Sequence, residues 1–410
     1  MRTIIRSGTV LDTSTMSFTE NLDVVIEEGV IVEVGKASAS LAADLEIDAK
    51  GDYVIPGLID AHVHFRLATL NFRMLEKWSE VEYGIVMARL ARSTVERGFT
   101  TVRDLGGEVT GLMRAIGRGD TLGPRIVHAG HMLSQTGGHG DTVGGHLDVP
   151  TCACSLRTNS FSIVADGPEA VRKAARHLFR SGSDFLKMHA SGGVATPTDP
   201  LESVQYTHEE LRVAVVEAEH RGTYVAAHAY TPEAITMAVE SGVSSIEHGN
   251  LIDDTAAQLV AARGAVVVPT LVTYKAMNDF GPSLGLPANN LSKNKIVYET
   301  GLNSLETMVN AGVTLGFGTD LIGETQTMQN EELAIRAQVQ SATDVLRSMW
   351  LVNADLCRLS GRIGVLTPGA FGDVVISSVD PLDDIVAFSQ YQRSINRVVK
   401  GGQLVVGSAT

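Results

Sequence analysis

The sequence predicts an α/β protein: a (β/α)8 TIM barrel carrying a small β-sandwich domain built from both chain termini. Three observations carry this expectation. Short β-rich runs alternate with helical patterns through the middle of the chain, both ends read as β alone, and 410 residues suit one barrel with an appendage.

Residues 1–56 alternate apolar and polar positions in short runs broken by Gly and Asp, as in TIIRSGTVLD, LDVVIEEGVIVEVG and LEIDAKGDYVIPG. Residues 365–410 repeat the style in FGDVVISS and RSINRVVKGGQLVV, after a break at LTPGAFGD. These segments are expected to form one split domain, with 57–364 as the barrel. Eight candidate barrel strands follow in order: VIPGLIDAHVHF, FTTVRDLGG, RIVHAGHML, DFLKMHASGG, TYVAAHAYT, VSSIEHGNL, AVVVPTLVT and VTLGFGTDL. Between them EAVRKAARHLFRSG, THEELRVAVVEAEHRG, TPEAITMAVESG and KIVYETGLNSLETMVNAG show helical periodicity, closed by Gly where a C-cap belongs. NADLCRLSGRIG, at 353–364, leads the chain back to the terminal sheet.

Composition narrows the function classes. Hydrophobic residues at 44% and charged residues at 20% are ordinary for a soluble globular protein. A net charge of −14 without a basic run argues against a nucleic-acid groove, which needs clustered Lys and Arg. No window approaches the roughly 20 apolar residues of a membrane span, and MRTIIRSGTVLDTSTMSF lacks the apolar run of a secretory signal. A cytoplasmic location without a membrane partner is therefore expected. Cys152, Cys154 and Cys357 make an odd count with no disulfide framework, and no role is assigned to them.

In a barrel of this kind, polar side chains at the C-terminal strand ends read as site residues. Strand one ends in His62-Val63-His64, and period-two alternation puts both imidazoles on one face. Burying both costs desolvation unless something polar pairs with them. Strand four carries Lys187 within an apolar run, strand five ends at His228, strand six at His248 and strand eight at Asp320. Imidazole and carboxylate suit a divalent metal, Zn2+ first, with Fe2+, Mn2+ or Co2+ compatible. An ammonium cannot ligate a cation, but a lysine that has reacted with CO2 becomes a carbamate whose two oxygens can bridge two metals. That answers the desolvation problem of Lys187 and predicts a two-metal centre.

As a set, GLIDAHVHF at 57–65, Lys187, His228, His248 and GTDL at 318–321 resemble the binuclear members of the amidohydrolase superfamily. SQTGGHGD at 134–141, KMHASGG at 187–193 and AHAYTPEAI at 227–235 are similar to the branch of imidazolonepropionase-like enzymes and Xaa-Pro dipeptidases, and the lysine favours the dipeptidases. The resemblance implies that His62 and His64 bind the more buried metal and His228 and His248 the more exposed one. Carboxylated Lys187 would bridge them, and Asp320 would bind the buried metal and shuttle the proton. Two divalent cations would supply an ionisable water near neutral pH, and Asp320 would pass its proton to the departing nitrogen.

For the substrate, the Gly-rich loop GHMLSQTGGHGDTVGGH offers His131, His139 and His146. His139 is expected to stabilise the oxyanion. Tyr230 resembles the family position that contacts the substrate's terminal carboxylate, and Arg103 is a further candidate for that carboxylate, against an ion pair with Asp104 or a neighbouring loop acid. The expected activity is hydrolysis of an Xaa-Pro dipeptide. The alternatives are a dipeptidase or carboxypeptidase for C-terminal Arg or Lys, with Asp141, Asp199 or Glu202 as the pocket acid, an N-acyl amino acid amidase, a lactonase or organophosphate hydrolase, and a non-catalytic barrel. Homo-oligomers are compatible with this class.

Overall fold

The computed structural model describes residues 1–410 except 39, 76, 142–156, 159–160, 197–198 and 410, so that Cys152, Cys154 and His146 lie outside the described residues. Parallel strands form the expected barrel: Leu58–Val63, Phe99–Asp104, Arg125–His128 continued by Met132–Ser134, Leu186–His189, Val225–Ala229, Ser245–His248, Val266–Val268 and Thr314–Leu315. Strand eight closes on strand one through Ala61 N–H to Phe317 O and Asp320 N–H to His62 O, both 2.8 Å. Strands one, two, four, five and six are buried along their whole length, as parallel strands covered by helices must be.

Local chemistry sets the helices. Thr207 and Glu210 form a capping box at the start of His208–Glu219, and Thr231 caps Pro232–Glu240, whose proline sits in the first turn. Pro232–Glu240 and Ala288–Asn310 each lead into a glycine in the left-handed region, Gly242 (φ 98°) and Gly312 (φ 72°).

The expected strands differ in detail, VTLGFGTDL being a strand only over Thr314–Leu315. AVVVPTLVT is not one strand, because it ends at Val268 and Leu271 already begins the helix Leu271–Leu284. Beside the third strand lies Ser162–Val164, parallel to Met132–Ser134, which is too short to show a period in the sequence.

The terminal strands form one eight-stranded sheet, with Tyr53–Pro56 antiparallel to Val374–Ser377 and parallel to Arg2–Asp12. Ile5, Val24, Ile31, Ile47, Val54, Val374 and Val399, drawn from seven of its strands, share one cluster, so the sheet folds over its own core. Only Gly57 separates this sheet from barrel strand one. A Cβ there would lie 2.0 Å from Thr100 Oγ1, which restricts the position to glycine. Among the described residues no helix is long and apolar enough to cross a membrane.

Candidate metal centre and active site

The six strand-end residues meet at one mouth. Ligand atoms of His62, His248 and Asp320 lie within 4.8 Å of one another. His64 joins them, with Nε2 at 3.3 Å from Asp320 Oδ1, against 3.4 Å for His62 Nε2. The His228 ring stands 4.7 Å from that of His248, and Lys187 is buried within the field of Asp320 and Glu247.

Each imidazole has one nitrogen anchored, leaving the other to face a ligand. His62 Nδ1 pairs with Glu247 Oε2 at 2.7 Å, His64 Nδ1 with Gly106 O at 3.3 Å, and His248 Nδ1 with Thr270 Oγ1 at 2.8 Å. His228 is anchored the other way, Nε2 against Gly192 O at 3.0 Å, which reserves its Nδ1. His62 Nε2 is buried with no hydrogen-bond partner. An orphaned nitrogen in a cluster of buried imidazoles beside a carboxylate is the donor set a divalent cation satisfies, and anchoring of the second nitrogen is how proteins orient such ligands.

Backbone strain helps to build the mouth. His248 (φ 77°), Thr270 (φ 51°) and Asp320 (φ 51°) all adopt the left-handed region at strand ends, at a cost of about 1–3 kcal/mol each. At His248 the strain has a clear use. Glu247 and His248 are consecutive, yet Glu247 bonds His62 and the His248 ring stands 5.0 Å from the His62 ring. Strand alternation alone would send one of them outward.

Electrostatics follow from burial. Burial pulls Lys187 down to about 8, against the opposing pull of Glu247 and Asp320, so a neutral amine is accessible near neutral pH. Burial alone would raise Asp320, but His62, His64 and His248 more than offset it and hold the carboxyl well below its usual range. Burial lowers His248 to about 3 and holds His62, His189 and His228 well below 6.5. The metal-free protein is therefore expected to lose stability in acid. Unfolded imidazoles take up protons from about pH 6.5 downward while the folded ones resist, so this contribution is complete above 6.5 and is lost toward about 3. Urea midpoints of metal-free protein at about pH 7 and about pH 5 check this; equal midpoints would contradict it.

The substrate-side expectations divide. His139 lies at the mouth, its ring stacked 4.4 Å from His228, with Nδ1 at 2.9 Å from Asp199 Oδ2. Tyr230 packs edge-on against His228 and stacks on His248, and its hydroxyl pairs with that of Tyr274 at 2.8 Å. Burial pushes the Tyr230 phenol up, so it stays a neutral donor.

Arg103 is a correction. It is fully buried, bonded to Ala61 O, the Tyr224 hydroxyl, Ser245 Oγ and, at 2.7 Å, Glu247, and its bonds are spent inside the barrel rather than on a substrate carboxylate. Arg103 does form an ion pair, but with Glu247 inside strand six rather than with Asp104 or a loop acid. Asp199 is likewise no free pocket acid: it is buried and accepts from His139 and the Gly193 N–H. Asp141 is buried and accepts from the Gly137 N–H, and Glu202 is exposed. His131 is half-buried.

Four members of the constellation lie outside the sequence expectations: Glu247, Thr270, Tyr274 and His189. His189, buried 5.2 Å from the His139 ring and 5.6 Å from the His228 ring, carries a legible signal, since it stands two residues past Lys187 on the same strand.

A barrel with metal-suited donors at its C-terminal strand ends is compatible with metal-dependent hydrolysis. The amidohydrolase family model matches residues 53–405, and the chain belongs to that family. It is 30% identical over 369 residues to ochratoxinase of Aspergillus niger, covering 86% of this chain and 76% of that one. The crystal structure of a prolidase complexed with N-methylphosphonate-L-proline is 41% identical over all of both chains, with a TM-score of 0.94. That of a Xaa-Pro dipeptidase with methionine in its active site is 27% identical over 99% of this chain and all of the other, at 0.86. The protein is an enzyme, a hydrolase acting on carbon–nitrogen bonds.

Proposed function

We propose that this enzyme is a binuclear, metal-dependent dipeptidase that cleaves Xaa-Pro bonds. The observation that carries the reading is the set of six strand-end donors whose imidazoles each keep one nitrogen for a ligand. Full-length likeness to a prolidase at 41% identity supports the substrate class. His62, His64 and Asp320 would hold one ion, His228 and His248 the other, with carboxylated Lys187 shared between them. Zn2+ suits this set best. Two divalent cations supply Lewis acidity and an ionisable water near neutral pH.

The chain's own groups supply the rest. Asp320, held ionised by its imidazole neighbours, takes the proton of the attacking water and delivers it to the leaving nitrogen, without which an amide nitrogen departs badly. His139, oriented by Asp199, presents its Nε2 edge to the oxyanion. Tyr230, backed by Tyr274, offers a phenol to the dipeptide carboxylate.

Assay of metal-loaded enzyme on a panel of Xaa-Pro and Xaa-Arg dipeptides and N-acyl amino acids tests the reading. Cleavage restricted to N-acyl amino acids would replace the dipeptide. The lysine is tested separately. Metal uptake by stripped enzyme at constant CO2 is expected to rise with pH through about 8, and Lys187→Met to bind no more than one ion per chain. Two ions in that variant would exclude the carbamate.

A further inference from the structure

The long helix Ala288–Asn310 lies outside the barrel, yet it buries Lys293 against the loop that follows strand four. Lys293 Nζ donates to three backbone carbonyls of that loop: Gly193 O and Thr196 O at 2.6 Å and Asp199 O at 2.7 Å. Its charge stands 3.7 Å from Asp199 Oδ1. One turn earlier, Asn290 Nδ2 donates to Val194 O and Ala195 O at 2.7 Å. An ammonium has three N–H groups, and here all three are used.

What this loop holds is the active site. Asp199 Oδ2 accepts from His139 Nδ1 and from the Gly193 N–H, and Thr196 Oγ1 donates to His139 O at 2.6 Å. Gln205 fixes the His139 N–H at 2.8 Å and reaches Asp199 with its amide. Gly193 presses on the His139 ring so closely that a Cβ there would lie 2.2 Å from it. The ring therefore sits between a carboxylate and a loop backbone, and both are tied to Lys293.

We propose that Lys293 is a positioning residue for His139, acting through Gly193, Thr196 and Asp199. It pulls three carbonyls inward, which sets Asp199 and so fixes which His139 nitrogen faces the substrate. The inference rests on the reading of His139 as the oxyanion donor, and it makes the outer helix part of the oxyanion machinery.

The test is a double-mutant cycle in full-length, metal-loaded enzyme, using an Xaa-Pro dipeptide, with metal content and Tm measured alongside. Lys293→Met is expected to lower kcat by about 10²-fold, the scale of a small misplacement of a reacting group, with KM and metal content near wild type. In a His139→Asn background the same change is expected to cost less than about twofold, because the group it positions is already gone. An equal loss in both backgrounds, or none in the wild type, would overturn the proposal. If Lys293→Met yields no folded protein, Lys293→Gln, which keeps an N–H donor, takes its place in the cycle with a smaller loss expected.

A readout free of catalysis separates this inference from the substrate reading. Hydrogen exchange should deprotect residues 135–141, which carry His139, as well as residues 193–196 when Lys293 is replaced. Deprotection confined to residues 193–196 and the helix would sink the positioning role even if dipeptides are cleaved. Deprotection of both segments would support it even if they are not.

Discussion

Asp320→Asn is expected to lower kcat by about 10²–10⁴-fold, the usual worth of a placed proton-transfer group, and to leave the folded barrel intact. The amide keeps the shape and the backbone bond from Asp320 N–H to His62 O. It removes the negative charge that faces His62 and His64 at 3.4 and 3.3 Å. It also removes the group that can accept a proton and return it to the leaving nitrogen. Metal content should fall too, because an amide oxygen is a weaker ligand than a carboxylate. Turnover of an Xaa-Pro dipeptide and a metal count on the same preparation check both parts. A variant with near wild-type kcat would assign the proton to another residue, His139 being nearest in kind.

Glu247→Leu is expected to be the most destabilising single substitution beneath the site, at about 3–5 kcal/mol, because it strands a buried charge. Glu247 is fully buried between Arg103 Nη2 and His62 Nδ1, both at 2.7 Å. Leucine leaves Arg103 with Ala61 O, Ser245 and Tyr224 but without a counter-charge. The same change unfixes the His62 ring, so metal affinity is expected to fall by about 10–100-fold. Urea denaturation of the metal-free protein reads the first effect, and titration of stripped protein with Zn2+ reads the second. Loss of affinity without loss of stability would mean that Arg103 finds another partner.

Much of the architecture is legible in the sequence because periodicity reports it directly. The barrel strands announce themselves as apolar runs between helical patterns, and His62 and His64 share a face for the simple reason that a strand repeats every two residues. The residues that tune the centre are less visible. Glu247 is one acid among many until His248, at φ 77°, turns inward beside it. Thr270 sits in VPTL as an ordinary strand residue, and only its left-handed backbone brings its hydroxyl to His248. Arg103 misleads because a strand-end arginine reads the same whether it points to the mouth or to a buried acid. Lys293 is invisible for a different reason: its partners are main-chain carbonyls, which leave no trace in side-chain pattern.

The position of Gly57 bears on how the protein is made. Strand one of the barrel, with both of its histidines, runs directly out of Tyr53–Pro56, whose antiparallel neighbour is Val374–Ser377. A ribosome delivers the first of these long before the second. During synthesis Tyr53–Pro56 can pair with Arg2–Asp12, which is already made, but its second neighbour arrives only after the barrel strands have all been delivered. Until then Tyr53–Pro56 is an open edge, and the metal centre has its first two imidazoles on a strand fixed from one side alone.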